Sequence, residues 1–175
     1  MKYSLILLDR DGTLNYEAQN HHRDLSVLRP YPFSGPALRG LTDAGHRLAL
    51  VTNQSGIARG YWSIDEVDRL HKRFFKEWGV EPKVYLCPHG PGEGCRCRKP
   101  LPGLVLQALA DHQCPPAAAL MVGDSLADAG AAQGAGVDFA LVLTGRGRTT
   151  RDLLSHPPAM LLDTVADLTG KFSAL

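Results

Sequence analysis

The sequence predicts an α/β fold, a parallel sheet doubly wound with helices on both of its faces. Three observations lead there. Short apolar runs alternate with helix-patterned stretches along the 175 residues, and repeated β-α units of this kind make parallel sheets. Capping and breaking residues stand at the joints of the alternation. The side chains capable of chemistry come directly after the apolar runs, at strand carboxyl ends, where such folds hold their ligands.

Taken in order, Tyr3–Leu8 is an unbroken apolar run suited to a central buried strand. Ser34-Gly35-Pro36 opens a helix that runs to about Ala44, where Gly45 ends it. Arg47–Thr52 is the second strand. Ser63 and Glu66 have capping-box spacing, which starts a helix reaching about Trp78 with Gly79 as its C-cap. Lys83–Leu86 is the third strand, and Leu101-Pro102-Gly103 begins a helix through about His112. Ala119–Val122 is the fourth strand; Gly123-Asp124-Ser125 then turns into a helix ending near Gly134 or Gly136. Phe139–Leu143 is the fifth strand and Ala159–Leu162 a weaker sixth, with Asp163 the expected N-cap of the last helix. Leu14–Phe33 has weak periodicity and reads as a flap or substrate loop.

The length suits one domain spanning 1–175. Lys+Arg 19 against Asp+Glu 18 leaves a formal net charge of +1, without the basic excess of a nucleic-acid binder. No apolar stretch approaches the ~20 residues of a membrane span. The start runs straight into Asp9-Arg10-Asp11 without a signal-peptide pattern. The expectation is a cytoplasmic protein that acts on a small molecule and binds neither nucleic acid nor membrane. With no large apolar patch or heptad legible, a monomer is expected.

Asp9-Arg10-Asp11-Gly12-Thr13 follows the first strand. Two carboxylates one residue apart suit magnesium-dependent phosphoryl transfer: one attacks phosphorus, the other handles a proton, and a hard cation offsets their charge. Gly12 permits a sharp turn and a close approach to an anion. A surface Asp-Gly turn is the plainer reading of this segment alone. Thr52-Asn53-Gln54-Ser55-Gly56 closes the second strand with hydroxyl and amide groups that can donate to phosphoryl oxygens; a polar turn is the alternative. Lys99 can act as a point charge on a phosphoryl group and Arg98 as a fork on a substrate oxyanion, although basic pairs on loops are commonly solvated surface. Asp124 ends the fourth strand and can supply a third oxygen beside the first two acids. Asp128 either reaches loop N–H groups or a metal-bound water, or simply complements the helix dipole.

Cys87, His89, Cys95 and Cys97 form a closed set of three thiolates and an imidazole, the donors of a structural zinc site. Zinc there would order the glycine- and proline-rich loop 87–99 and so fix Arg98-Lys99; such sites supply roughly 10–16 kcal/mol of apparent binding energy. Cys114 stands apart as an ordinary thiol. His21, His22, His46, His71, His112 and His156 have no matching partners and receive no role.

Leu8-Asp9-Arg10-Asp11-Gly12-Thr13-Leu14-Asn15, the block Thr52–Gly60, and Cys97-Arg98-Lys99-Pro100 together resemble the haloacid dehalogenase (HAD) superfamily. The resemblance is to its small zinc-containing branch of heptose-bisphosphate and histidinol-phosphate phosphatases, and it extends from Leu8 to about Gly136. It implies a Rossmann-like HAD-type sheet, and no stretch of the sequence is long enough for a separate cap domain, so Leu14–Phe33 and the zinc loop are expected to shape the pocket. It also implies an aspartyl-phosphate mechanism with Asp9 as nucleophile and Asp11 as acid and base. Magnesium would be held by Asp9, Asp124 and the backbone carbonyl of Asp11. Thr52 and Lys99, with Asn53, Gln54 and Ser55 in the same loop, would take phosphoryl oxygens, and Arg98 would orient the substrate. The Ser55–Gly60 block resembles the heptose enzymes and makes a heptose 1,7-bisphosphate the expected substrate. The five-residue gap from His89 to Cys95 is similar to the histidinol-phosphate enzymes and keeps that substrate as the alternative. Glu17-Ala18-Gln19-Asn20 departs from the heptose pattern, and Ser125 stands where some members carry a lysine.

Overall fold

Six parallel strands lie in the order β3-β2-β1-β4-β5-β6. They are β1 (Leu5–Leu8), β2 (Arg47–Asn53), β3 (Lys83–Cys87), β4 (Ala119–Gly123), β5 (Asp138–Val142) and β6 (Met160–Leu162). The helices are α1 (Ser34–Asp43), α2 (Ile64–Trp78), α3 (Gly103–Asp111), α4 (Leu126–Ala135), α5 (Gly147–Leu153) and α6 (Asp167–Ser173). The structure, a computed structural model, describes residues 2–17 and 24–173. Ala18, Gln19, Asn20, His21 and His22, named above, lie outside the described residues.

Side chains alternate across each strand, and this divides the interior into two layers. Ile6, Leu8, Leu48, Leu50, Leu120 and Val122 face α1, α2 and α6, meeting Leu38, Leu41, Leu70, Phe74, Phe75 and Leu168. Leu5, Leu7, Ala49, Val51, Met121 and Leu141 face α3 and α4, meeting Leu104, Val105, Ala108, Ala131 and Ala132. Every residue of β1 is buried, as a strand covered on both faces requires. The chain winds outward from β1 to β2 and β3, then returns to the other side of β1 for β4, β5 and β6. The strand order thus reverses between β1 and β4, and their carboxyl ends open a crevice there.

The six expected strands are all present, with ends that differ by one or two residues. Three features differ from the sequence-based reading. Helix α5 was not expected, because Gly147–Leu153 is polar and its start has no side-chain cap. A Cβ at Gly147 would lie 1.8 Å from the Val142 carbonyl oxygen, so the tight return of the chain onto β5 is what places this helix. Asp163 does not cap the last helix: Thr164 N–H donates to Asp167 Oδ2 (2.9 Å) and Thr164 Oγ1 accepts from Ala166 N–H (3.2 Å). Buried Val165 and Leu168 carry that turn into the core. Within loop 14–33, Leu25–Val27 forms one 3-10 turn capped by Asp24, and the loop's ends are joined by Tyr16 N–H to Arg29 O and Tyr31 N–H to Leu14 O, each 3.0 Å.

The capping box of α2 is complete, with Ser63 Oγ accepting from Glu66 N–H and Glu66 Oε2 accepting from Ser63 N–H. Ser63→Ala removes this pair, and its expected cost is about 1 kcal/mol. For a chain of this size that lowers Tm by about 2–4 °C. Thermal unfolding followed by circular dichroism checks this, and an unchanged Tm would remove the cap from the stabilising features of α2.

Candidate active site

Asp9 and Asp124 follow β1 and β4 directly, so the register of these neighbours decides whether their carboxylates meet. Leu8 pairs with Val122, and Asp9 N–H donates to the Val122 carbonyl (2.9 Å). The two acids therefore leave adjacent strands at one level. Gly12 (φ 81°) and Gly145 (φ 53°) close on the Asp124 carboxylate from two sides; a Cβ on either would lie 2.1 Å from Asp124 Oδ2. The anion that Gly12 approaches is thus the protein's own. Arg146 N–H donates to the same oxygen at 2.7 Å.

Asp9, Asp124 and Asp128 bring one carboxylate oxygen each to within 4.8 Å of one another, and all three are buried. Buried Lys99 enters the cluster, donating from Nζ to Asp9 Oδ1 (2.7 Å), Asp128 Oδ1 (2.6 Å) and the Val51 carbonyl (2.7 Å). Burial alone would drive the lysine neutral, but Asp128 and Asp9 more than reverse this and hold it charged. One ammonium cannot balance three carboxylates. Burial, then the charge of Asp128, pushes Asp9 up to about 7 despite Lys99, and burial with Asp9 pushes Asp124 up to about 8. An all-oxygen set with surplus negative charge fits a hard divalent cation of the magnesium type.

Asp128 combines both sequence-based readings in one residue. It closes a capping box with Ser125, accepting at Oδ2 from Ser125 N–H and Oγ, while its other oxygen holds Lys99. The Ser125-x-x-Asp128 spacing signals the cap; nothing local signals the lysine.

The Asp11 side chain does not join this cluster. Its carboxylate turns to Arg10, whose Nη2 lies 3.0 and 2.9 Å from the two oxygens, to Asn15 Nδ2 (2.9 Å) and to Gln54 Nε2 (3.0 Å). Burial would raise its pKa, but Arg10 and these amides reverse that and hold Asp11 below the ordinary carboxylate range.

The loop after β2 divides its work. Gln54 Nε2 also donates to Thr52 Oγ1 (2.9 Å), and Thr52 is fully buried behind it. Asn53 and Lys99 exchange two bonds of 3.0 Å, Asn53 Nδ2 to Lys99 O and Lys99 N–H to Asn53 Oδ1. Asn53 therefore fastens the lysine's backbone. Asn53, Gln54, Ser55, Arg98 and Lys99 line a cavity of about 500 Å³ that also reaches Asp9, Asp11 and Asp124. Glu17 and Arg146 line it as well and form an ion pair.

Cys87, His89, Cys95 and Cys97 converge beside this loop. Their separations are 3.2 Å (Cys87–Cys97), 3.8 Å (Cys87–Cys95), 3.3 Å (His89 Nδ1–Cys97) and 3.6 Å (Cys87–His89 Nδ1). Zinc bonds of about 2.0–2.3 Å set tetrahedrally give edges of about 3.6–3.8 Å, which this cluster approaches. Burial, with Cys97 beside it, pushes the Cys87 thiol up to about 12; three sulfurs and one imidazole nitrogen gathered this closely are the donor set of a structural zinc ion. Arg98 Nη1 donates to the His89 carbonyl (3.1 Å), and a Cβ at Gly103 would lie 2.2 Å from the Arg96 carbonyl. The cluster's loop is thereby tied to the start of α3.

Arg10, His71, Gly145 and Arg146 take part in the site without having been expected there. Arg10 stands between two singled-out acids, which is a signal of position. His71, Gly145 and Arg146 become neighbours only through the fold.

Comparison with known proteins agrees with this geometry. Residues 96–168 match the HAD-hydrolase-like family model. The chain is 39% identical to D-glycero-β-D-manno-heptose-1,7-bisphosphate 7-phosphatase of Pseudomonas putida, over 93% of this chain and 95% of that protein. It is 38% identical to the enzyme of the same name from Pseudomonas aeruginosa, over 100% and 99%. Among solved structures, D,D-heptose 1,7-bisphosphate phosphatase of Bordetella bronchiseptica, complexed with magnesium and phosphate, superposes with a TM-score of 0.92 at 34% identity, covering 97% and 98% of the two chains. By relatedness along its length and by fold, the chain belongs to the D-glycero-β-D-manno-heptose-1,7-bisphosphate 7-phosphatase family of HAD-type phosphatases.

Proposed function

We propose that this chain removes the 7-phosphate of D-glycero-β-D-manno-heptose 1,7-bisphosphate, leaving the heptose 1-phosphate. The observation that carries the reaction type is the convergence of Asp9, Asp124 and Lys99 in the β1/β4 crevice. The substrate rests on full-length relatives that bear that enzyme's name.

In this reading an Asp9 oxygen attacks phosphorus in line and the bond from phosphorus to the sugar C7 oxygen breaks. Asp11, protonated once the negatively charged substrate is bound beside it, gives that proton to the departing oxygen. Water then attacks the aspartyl-phosphate, Asp11 accepts the water's proton, and inorganic phosphate leaves with Asp9 restored. The Arg10 fork and the two amides suit Asp11 to this second half, in which it works as a carboxylate. Magnesium, when held by Asp9, Asp124 and the Asp11 backbone carbonyl, supplies the positive charge that offsets these acids and the phosphate. Lys99 neutralises phosphoryl charge, Thr52 retains its proton to donate, and Ser55 and the loop N–H groups complete the cradle. Arg98 and Arg146 offer cations to the phosphate that does not react. Zinc, when held by the Cys/His set, fixes the loop that carries Arg98 and Lys99.

We further propose that residues 1–175 act as one domain without a separate cap, so that loops 14–33 and 87–99 shape the pocket. The chain is read as a cytoplasmic monomer that binds neither nucleic acid nor membrane. No helix among the described residues is long and apolar enough to cross a membrane, and thiol ligands suit a reducing compartment.

Asp9→Asn is expected to lower kcat by at least about a thousandfold while zinc content, measured by mass spectrometry, stays unchanged. Wild-type turnover of heptose 1,7-bisphosphate should far exceed that of histidinol phosphate under the same conditions; the reverse order would reassign the substrate.

Removing zinc with a chelator, with magnesium then restored in excess, is expected to lower Tm and to abolish activity, with recovery only on adding zinc back. Full activity in zinc-depleted protein would detach the loop from catalysis.

Raised native pKa values at Asp9 and Asp124 mean that the folded, metal-free protein binds more protons than the unfolded chain between about pH 4 and pH 8. Stability of the metal-free form therefore falls as pH rises through that window. Adding magnesium should raise Tm more at pH 8 than at pH 5. An equal shift at both would mean that the ion does not sit among these acids.

A further inference from the structure

Arg10, between the two acids of the first motif, is buried, and its guanidinium is held on three sides. Nε and Nη2 fork onto Asp11 (3.1 Å and 2.9–3.0 Å), Nη2 donates to Gln54 Oε1 (2.9 Å), and Nη1 lies 3.3 Å from His71 Nε2. His71 comes from the middle of α2, where Val67, Leu70, Phe74 and Phe75 make the buried face apolar. A polar ring on that face breaks the local pattern, and such breaks gather at functional sites. The ring is 2% exposed and stacks on Phe75 at 5.9 Å. Burial and the charge of Arg10 keep it neutral, so Nε2 can accept the Nη1 hydrogen.

We propose that His71, acting through Arg10, is a positioning residue for Asp11, and that the step it serves is hydrolysis of the phosphorylated enzyme. The inference rests on the reading of Asp9 as nucleophile and Asp11 as acid and base. Gln54 fixes one edge of the Arg10 fork and His71 the other. Without an acceptor at Nη1, a buried charged donor is left unpaired and the guanidinium must turn to satisfy it. The Asp11 carboxylate then loses its bidentate partner and its alignment toward the attacking water. Misplacement by about 1 Å can cost about a hundredfold in rate. The acid step suffers less, because the departing oxygen is already placed by the bound substrate, whereas the attacking water depends on Asp11 for its position.

The test compares His71→Leu with His71→Gln, whose side-chain oxygen can still accept from Arg10. Rapid acid quench with substrate labelled at the reacting phosphate reads the fraction of phosphorylated enzyme at steady state, beside kcat and kcat/KM. His71→Leu is expected to lower kcat about 10- to 100-fold, to lower kcat/KM less, and to raise the phosphorylated fraction. His71→Gln should return all three to within a few-fold of wild type. A His71→Leu enzyme with unchanged kcat, or with kcat lowered and no rise in phosphorylated enzyme, overturns the proposal. If circular dichroism shows His71→Leu to be unfolded, Arg10→Lys, which keeps the charge and loses the fork, is read in the same way with the same criteria. Absence of any labelled wild-type enzyme at saturating substrate, under quench conditions that preserve an acyl phosphate, would count against the aspartyl-phosphate reading itself.

Discussion

Three clustered, buried carboxylates, two of them bound to one buried ammonium, form the interaction on which the rest of the site depends. Like charges at such separations in a low-dielectric interior repel strongly, and burial adds a desolvation cost for each ion. The fold does not avoid this arrangement; it enforces it. Asp9 and Asp124 are set side by side by the parallel pairing of β1 with β4. Asp128 is held by its cap with Ser125, and Asp124 by the Arg146 N–H. Two glycines with positive φ leave just enough room for the Asp124 carboxylate. A protein that holds unbalanced acids this firmly is prepared for a cation and for the anion that follows it. The strain is local, and the apolar layers on both faces of the sheet are what sustain it.

Lys99 connects this centre to the second cluster. Cys97 belongs to the soft, sulfur-rich donor set, and Lys99, two residues on, ends inside the hard, oxygen-rich one. Donor chemistry alone sorts the two ions, since thiolates select zinc and carboxylates select magnesium. The loop between β3 and α3 has little apolar content with which to order itself. Its geometry instead comes from the Cys/His set, from the Asn53–Lys99 exchange of hydrogen bonds, and from the close contact of Gly103 with the Arg96 carbonyl. Each fixes the backbone near Lys99, and together they explain how a long flexible side chain reaches a single buried position.

The sheet was legible because parallel strands buried on both faces are written as continuous apolar runs, and Leu5–Leu8 and Ala119–Gly123 are of that kind. The acids and the Cys/His set were legible for a related reason: they lie within a few residues of those runs or of one another. What escaped notice is contact made across the fold. Helix α5 has no apolar period because it is placed by a turn at Gly145–Gly147 rather than by a buried stripe. Asn53 and Gln54 look in sequence like phosphate donors, yet their amides are engaged by Lys99 and by Asp11, Thr52 and Arg10. His71 looks like one histidine among seven. Its meaning comes from Arg10, 61 positions away.

These differences share one physical basis. Residues that touch a ligand must present a particular chemical group, so their type is restricted and their spacing becomes a motif. Residues that hold those groups in place can be replaced by any side chain that satisfies the same donor or acceptor, so they form no motif. Gln54 illustrates the boundary, since it lines the cavity and also spans Arg10, Asp11 and Thr52. A single amide there coordinates the fork above Asp11 with the hydroxyl beneath the phosphate loop. The acid after β1 and the loop after β2 are therefore one mechanical unit: moving Gln54 disturbs the charge balance at Asp11 and the orientation of Thr52 together. In this sense the spacing of the motifs records the chemistry, and the parallel pairing of β1 with β2 makes their chemistry simultaneous.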